Sequence, residues 1–316
     1  MQSYLRNIFI LAISIASSVP AADAICADPS SSECAACGFR IGNEYTLCDS
    51  HMKQYHDEGL TILENFLTED EILSIEAKYD KFMAEGSAEK YGKDFCDMSK
   101  HFNTPREEYS VINAMLPRVY EKSFVGNPYE LVSASVARQL FPGVEMQLDY
   151  DQLLDKMPGA EDAIFAWHQD MAYWPNTTMT PDTRTVTFSL ALDTTTKQNG
   201  CIHYVPGSGV DKKLRMHRSM GKDREEAHAI AVQVEEGEVV KYAEVKRGSV
   251  SIHDEYVVHG SAGNKSQGPR RTYVIAYRTA ETVDIERQAG FTHSHQDVVN
   301  WDKFNSWHLP TDSLQE

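Results

Sequence analysis

The chain is 316 residues long, 41% hydrophobic and 24% charged, with a formal net charge of −17 at pH 7. That is the composition of a soluble globular protein with room for one large domain or two ordinary ones. Thirty basic against 47 acidic residues argue against nucleic acid or an anionic membrane as the main partner.

The first stretch, MQSYLRNIFILAISIASSVPAADA, carries Arg6, then the apolar run Ile8 to Ala16, then Ala22-Asp23-Ala24. A basic start, a short apolar centre and a small-x-small site predict a secretory signal peptide over 1–24, cleaved near Ala24, with an ordinary N-terminal helix as the alternative. The apolar run is too short to span a bilayer, so no stable membrane span is expected after cleavage. The final DSLQE is not a lumenal retention signal. The expected location is therefore the secretory pathway, lumenal or secreted. Residues 25–52 form a cysteine-rich segment in which Cys26, Cys34, Cys37 and Cys48 crowd together. In an oxidising compartment two disulfides are expected, with three possible connectivities. Cys34, Cys37, Cys48 and His51 also have the spacing of a zinc site. Cys96 and Cys201 read as buried thiols.

Residues 53–316 form the main domain. GLTILENFL reads as a short strand. Thr68 and Glu71 then stand at capping-box spacing, Ile72, Ile75, Tyr79 and Phe82 repeat on one helical face, and Gly86 ends the run. From about residue 130 the chain breaks into short apolar or alternating runs: VEMQL, AIFAWHQD, TVTFSLALD, CIHYVPGS, SVSIHDEYVVHG and RTYVIAYRT. With helices gathered at the N-terminal side, this predicts a mainly β fold with flanking helices, a double-stranded β-helix or jelly roll.

Within EDAIFAWHQDMAYWP, residues 161–170 read as a buried strand, which points His168 and Asp170 to one face. A metal ion, or a plain His–Asp hydrogen bond, would satisfy the pair. A 2-His-1-carboxylate set with open positions is the signature of non-haem iron(II) oxygenases. His253 and His259 are the candidates for the third ligand. Arg270, at the mouth of the next strand, suits a dicarboxylate cosubstrate through a forked double hydrogen bond.

These residues resemble the phytanoyl-CoA dioxygenase family of iron(II)- and 2-oxoglutarate-dependent oxygenases. The matching motifs, in order, are YHDEGLTILENFLTEDEI, DQLLDKMPG, WHQDMAYWP, NGCIHYVPGSG and HGSAGNKSQGPRR. The resemblance implies His168, Asp170 and His259 as ligands of Fe(2+), and Arg270 as the residue holding the distal carboxylate of 2-oxoglutarate. It further implies Ser261 as support for that carboxylate, Ser189 as a cosubstrate contact, and O2 as the second cosubstrate. Where the family commonly has PGSH this chain has PGSG, with Gly209; that histidine is outside the triad. Halogenating relatives carry a small residue where Asp170 stands, so the resemblance implies hydroxylation of an unactivated C–H.

The substrate is expected to be a small molecule, with a polypeptide side chain as the alternative; an acyl-CoA sets several phosphates against a strongly acidic protein. A zinc hydrolase on the same triad and a non-catalytic jelly-roll binding protein are the competing classes, and neither needs Arg270. Trp174 is expected to line the pocket, Trp167 and Tyr173 to serve as core and wall, and His203 to be a packed histidine. His253 as third ligand and Arg271 in place of Arg270 are the local alternatives. A second H-x-D at His295–Asp297 has no downstream arginine and only His308 beyond it, so no metal is expected there. Asn176 fits a glycan acceptor, while Asn264 fits the same pattern but sits in the turn before Arg270.

Overall fold

The structure is a computed structural model that describes residues 38–175, 182–220 and 229–299. The expected signal peptide, Cys26, Cys34, Cys37, Asn176 and His308 lie outside the described residues. Among the described residues no helix is long and apolar enough to cross a membrane.

The N-terminal half forms β1 (Phe39–Ile41), β2 (Glu44–Thr46), α1 (Asp49–Glu58), β3 (Leu60–Leu63), α2 (Glu69–Glu85) and α3 (Ala88–Tyr91). There follow β4 (Phe95–Cys96), β5 (Val111–Met115), α4 (Pro117–Tyr120), α5 (Pro128–Leu140) and β6 (Met146–Lys156). The rest is β7 (Phe165–His168), β8 (Thr185–Ala191), β9 (Ile202–Tyr204), β10 (Arg218–Ser219), β11 (Ile230–Ala231) and β12 (Lys241–Ala243). Last come β13 (Val250–His253), β14 (His259–Ser261), β15 (Arg270–Thr279) and α6 (Ala280–Gln288).

Helix α2 starts where the capping box requires. Glu71 N donates to Thr68 Oγ1 at 3.4 Å, and Thr68 N donates back to the Glu71 carboxylate at 3.0 Å. Its buried stripe is the expected Ile72, Ile75, Tyr79 and Phe82. This stripe and Val132 and Val136 of α5 pack on Phe188, Leu190, Ile252 and Ile275 of a seven-stranded sheet in the order β3-β13-β8-β15-β6-β5-β4. A four-stranded sheet, β12-β9-β14-β7, packs its Tyr204 and Ala243 against Leu60 and Ala191 of the larger one. Helices on one face and a second sheet on the other explain why β15 is buried along nearly its whole length. This is the expected jelly roll.

Two expectations are corrected by the fold. Helices are not confined to the N-terminal side, because α6 follows β15. The strand read over 161–170 is only Phe165–His168, and Asp170 opens a 3-10 turn, Asp170–Tyr173. The intervening Gln169 explains the break: its side chain donates to Tyr256 O at 2.6 Å and Lys213 O at 2.9 Å and accepts from Arg215 N, so the backbone follows those anchors rather than a ladder. The β1–β2 hairpin docks on α5, with Tyr45 buried and its N–H donating to Ser135 Oγ. The hairpin, which falls within the cysteine-rich segment, thus packs on the same body as α5.

Cys48, the N-cap of α1, is disulfide-bonded. That removes it from a zinc set with His51. Cys96 and Cys201 are buried free thiols, as expected.

Candidate active site

Antiparallel pairing of β7 with β14 sets His168 directly opposite His259, with ring centroids 4.3 Å apart. Each imidazole is aimed by its own backbone. His168 Nδ1 lies 2.7 Å from Ala166 O and His259 Nδ1 lies 3.0 Å from Val257 O. A proton on each Nδ1 leaves the Nε2 lone pairs pointing inward. Both Nε2 atoms face Asp170 Oδ1, at 3.5 Å and 3.6 Å.

The other carboxylate oxygen, Oδ2, lies 3.1 Å from His253 Nε2 and 3.4 Å from Thr187 Oγ1. His253, the alternative third ligand, is thereby on the far oxygen of Asp170, supporting the carboxylate rather than completing the set. Burial pushes Asp170 upward, but His259, His168 and His253 outweigh it and hold the group well below the usual carboxylate range. Burial, reinforced by His168 and His253, pushes His259 well below its ordinary value, which favours release of its proton to a metal that takes the Nε2 lone pair. Two Nε2 lone pairs facing a carboxylate oxygen gain nothing from one another. A divalent cation satisfies all three, and the ligand atoms lie within 4.8 Å of each other.

Arg270, the first residue of β15, is 3% exposed. Its Nη1 donates to Gly200 O, and its Nε has no hydrogen-bond partner among the described residues. Burial draws it down to about 10, so it stays charged. Among the described residues no carboxylate is bonded to this buried guanidinium, and on the wall of a cavity it can receive an anion. Gly200 makes this possible: its φ is +75°, and a Cβ there would lie 2.1 Å from Ala262 O. Arg271 faces the other way, bound to Asp193 at 2.7 Å and Asp80 at 2.9 Å, and is not the cavity arginine. Gly209, at the PGSG departure, has Tyr256 C and Val257 N within 2.7 Å of where a Cβ would be. A histidine does not fit against the segment that leads into His259.

The sequence reading missed Lys156. It pairs with Arg270 across β6 and β15 and is fully buried. Its Nζ lies 2.7 Å from Ser261 Oγ and also donates to Ala262 O. Burial, with Arg270 adding to it, pushes this lysine down to about 5. A lysine just ahead of a Met-Pro-Gly turn reads as an exposed strand end, and only the cross-strand partner shows otherwise.

Ser189, Ser261 and Trp174 all line the same cavity of about 470 Å³ as the His168–Asp170–His259 cluster. His203 is stacked on Trp167 at 4.1 Å, a packed histidine as expected. Asn264 is buried, its amide donating to Lys156 O and Gly268 O, which is a turn-building role and not a glycan site. Among the described residues His295 and Asp297 of the second H-x-D belong to no group of converging ligand atoms, and both line the cavity.

The chain matches the family described as phytanoyl-CoA dioxygenase (PhyH) over residues 55–272. It is 26% identical to a probable alpha-ketoglutarate-dependent hypophosphite dioxygenase of Stutzerimonas stutzeri, over 72% of this chain and 78% of that protein. The fold is shared with EvdO2 from Micromonospora carbonacea var. aurantiaca complexed with 2-oxoglutarate (TM-score 0.60, 20% identity, 76% of this chain and 94% of that one). It is also shared with EctD from S. alaskensis with bound Fe (TM-score 0.56, 19% identity, 74% and 77%). A family match across well over half of the chain, on the fold that carries this cluster and this cavity arginine, makes the protein a member of the phytanoyl-CoA dioxygenase family of iron(II)- and 2-oxoglutarate-dependent oxygenases.

Proposed function

We propose that His168, Asp170 and His259 hold the iron(II), and that Arg270 receives the distal carboxylate of 2-oxoglutarate with Ser261 and Lys156 beside it and Ser189 as a further contact. The observation that carries this reading is the pair of backbone-oriented Nε2 atoms converging on Asp170 Oδ1. When bound, iron(II) couples the oxidative decarboxylation of 2-oxoglutarate by O2, to succinate and CO2, to oxidation of the substrate. The protein's own part is positional. His253 and Thr187 hold the outer oxygen of Asp170 so that the carboxylate cannot swing away. Arg270 gives the cosubstrate's far end a fixed charge in a water-poor site, where one guanidinium orients a carboxylate by two parallel bonds. With a carboxylate at position 170, hydroxylation of a C–H is the expected outcome.

A zinc hydrolase would use the same three ligands but leaves Arg270, buried and unpaired, without a purpose. We further infer that residues 1–24 direct the chain into the secretory pathway. Its route through an oxidising compartment is supported by the disulfide at Cys48. The substrate is read as a small molecule occupying the cavity next to Trp174.

The test is succinate release by the purified protein with Fe(II) and 2-oxoglutarate. It is paired with the weak visible band expected when 2-oxoglutarate is added to the iron-loaded protein without oxygen. Retention of zinc with no response to 2-oxoglutarate would favour the hydrolase.

A further inference from the structure

The segment after α6 has no part in the site as read so far, yet Phe291, His293, Ser294 and Val299 line the cavity that also contains His168, Asp170 and His259. The segment is fastened across the pocket by Asp94. Ser294 Oγ and His295 N donate to its two carboxylate oxygens, both at 2.7 Å. His293 has a φ of +70°, a left-handed backbone that a non-glycine residue keeps only when its surroundings insist.

Those surroundings are unusual. His293 Nε2 lies 2.7 Å from Oδ2 of Asp149, a fully buried carboxylate that also meets Arg278 at 3.1 Å and Arg287. Burial pushes Asp149 up, but His293, Arg278 and Arg287 outweigh it, so it stays ionised and can only accept. Because Asp149 can only accept, His293 Nε2 carries the donating proton, and Nδ1 is the ring nitrogen left for another partner. The ring is clamped by Tyr150 at 4.4 Å and Phe291 at 4.6 Å, with Trp174 edge-on at 5.9 Å. Trp174 lies in turn over the Arg278 guanidinium at 4.3 Å. Tyr150 feels the charges of both Asp170 and Asp149, which ties this clamp to the iron end of the cavity.

We propose that Phe291–Val299 is the substrate-selecting wall of the pocket. His293 is its polar contact, and the substrate is a compact, uncharged, ring-bearing molecule with a hydroxyl or amide N–H for His293 Nδ1 to accept. This rests on the reading of the site above. The uncharged class follows from the remaining charges on the wall. Asp170 and Arg270 serve metal and cosubstrate, and the two charges left on the wall are of opposite sign: Asp297, which closes on Thr292 N and Oγ1, and Lys93, whose ammonium sits over the Phe102 ring at 5.0 Å. The ring-bearing class follows from the aromatic surfaces, and the small size from a cavity of about 470 Å³ that must also take 2-oxoglutarate. Asp149, Glu286 and His293 lie close enough to hold a metal. However, Arg278 Nη1 already bridges Asp149 and Glu286, at 3.1 Å and 2.6 Å, and occupies the cation's place.

The experiment titrates the iron-loaded, 2-oxoglutarate-bound protein, without oxygen, with borneol and with camphor. These are a bicyclic alcohol and the ketone of the same skeleton, and binding is followed by tryptophan fluorescence. Wild type is expected to prefer borneol by roughly three- to tenfold, the effect of one neutral hydrogen bond. His293→Phe, which keeps the aromatic packing, brings the ratio to about one. His293→Gln, whose amide can both donate to Asp149 and accept from a ligand, retains part of the preference. Equal binding of the two probes by wild type, no binding of either, or a preference that survives His293→Phe overturns the proposal. So does a second metal equivalent that His293→Phe removes. The 2-oxoglutarate band read in the same sample reports separately on the iron-site reading and on the integrity of each variant.

Discussion

Replacing Lys156 by methionine is expected to make the protein more stable at neutral pH and a poorer binder of 2-oxoglutarate. Burial, with Arg270 adding to it, brings Lys156 from 10.5 down to about 5. Its pKa is lower folded than unfolded, so folding expels a proton anywhere between those two values. The lysine therefore costs most stability near pH 5, and the cost vanishes as pH rises toward 10.5. Each pH unit in that window is worth about 1.4 kcal/mol, so at pH 7 the cost reaches about 5 kcal/mol. Against it stand the contacts of Nζ to Ser261 Oγ, Ser261 O and Ala262 O, worth about 1 kcal/mol each. Methionine fills the same space without a charge. It should gain about 2 kcal/mol at pH 7, gain more at pH 6, and lose about 1 kcal/mol at pH 9. Urea unfolding of the two proteins without cosubstrate at these three pH values measures the difference, and other titrating groups cancel in the comparison. Affinity for 2-oxoglutarate should fall about three- to tenfold, because Ser261, which lines the cavity, loses the Nζ contact that positions its hydroxyl. A methionine variant less stable by the same amount at all three pH values would show that the lysine is charged in the fold, and the reasoning would fail.

The parts of this molecule that are legible in its sequence depend on local chemistry or on spacing along one strand. Thr68, Glu71 and the stripe from Ile72 to Phe82 specify α2 because cap and periodicity are written within one segment. His168, Asp170, His259 and Arg270 stand out because residues costly to bury interrupt apolar runs. What stays hidden is decided by partners distant in sequence. Asp170 leaves the strand because Gln169 is anchored by Tyr256, Lys213 and Arg215. His253 is diverted to the outer oxygen of Asp170 by the position of β13 in the larger sheet. Lys156 becomes a buried amine because β5 and β15 flank it, with Val111 on one side and Arg270 on the other. The polar run FTHSHQD reads as the start of a tail, and its place on the pocket wall depends on Asp94, in the 3-10 turn Gly92–Asp94 two hundred residues earlier. Helix α6 is equally faint, since its interior mixes Thr282, Asp284 and Glu286 among few apolar positions.

Arg270→Lys should raise the apparent Michaelis constant for 2-oxoglutarate by about tenfold or more with little change in iron content, since a fork is replaced by a point charge. Arg271→Lys should leave that constant alone, because its guanidinium is spent on Asp193 and Asp80; the reverse pattern in steady-state kinetics would shift the assignment by one residue. If residues 1–24 are removed as proposed, the mature chain should begin near Ile25, and its N-terminal cysteines should resist alkylation until reduced; mass spectrometry finding Cys48 alkylated in native protein would refute this. The two H-x-D copies should separate cleanly in an iron-occupancy measurement. His168→Ala and Asp170→Ala each remove one of three converging ligand atoms and leave at most two, too few to retain the metal through desalting. His295 and Asp297 are committed elsewhere: His295 Nδ1 lies 3.0 Å from Lys93 O, and the Asp297 carboxylate closes the turn onto Thr292. Their alanine variants should loosen the pocket wall yet carry a full complement of iron. Loss of iron from either of them, with His168 and Asp170 dispensable, would mean that the convergence of Nε2 atoms on Asp170 is not the metal site.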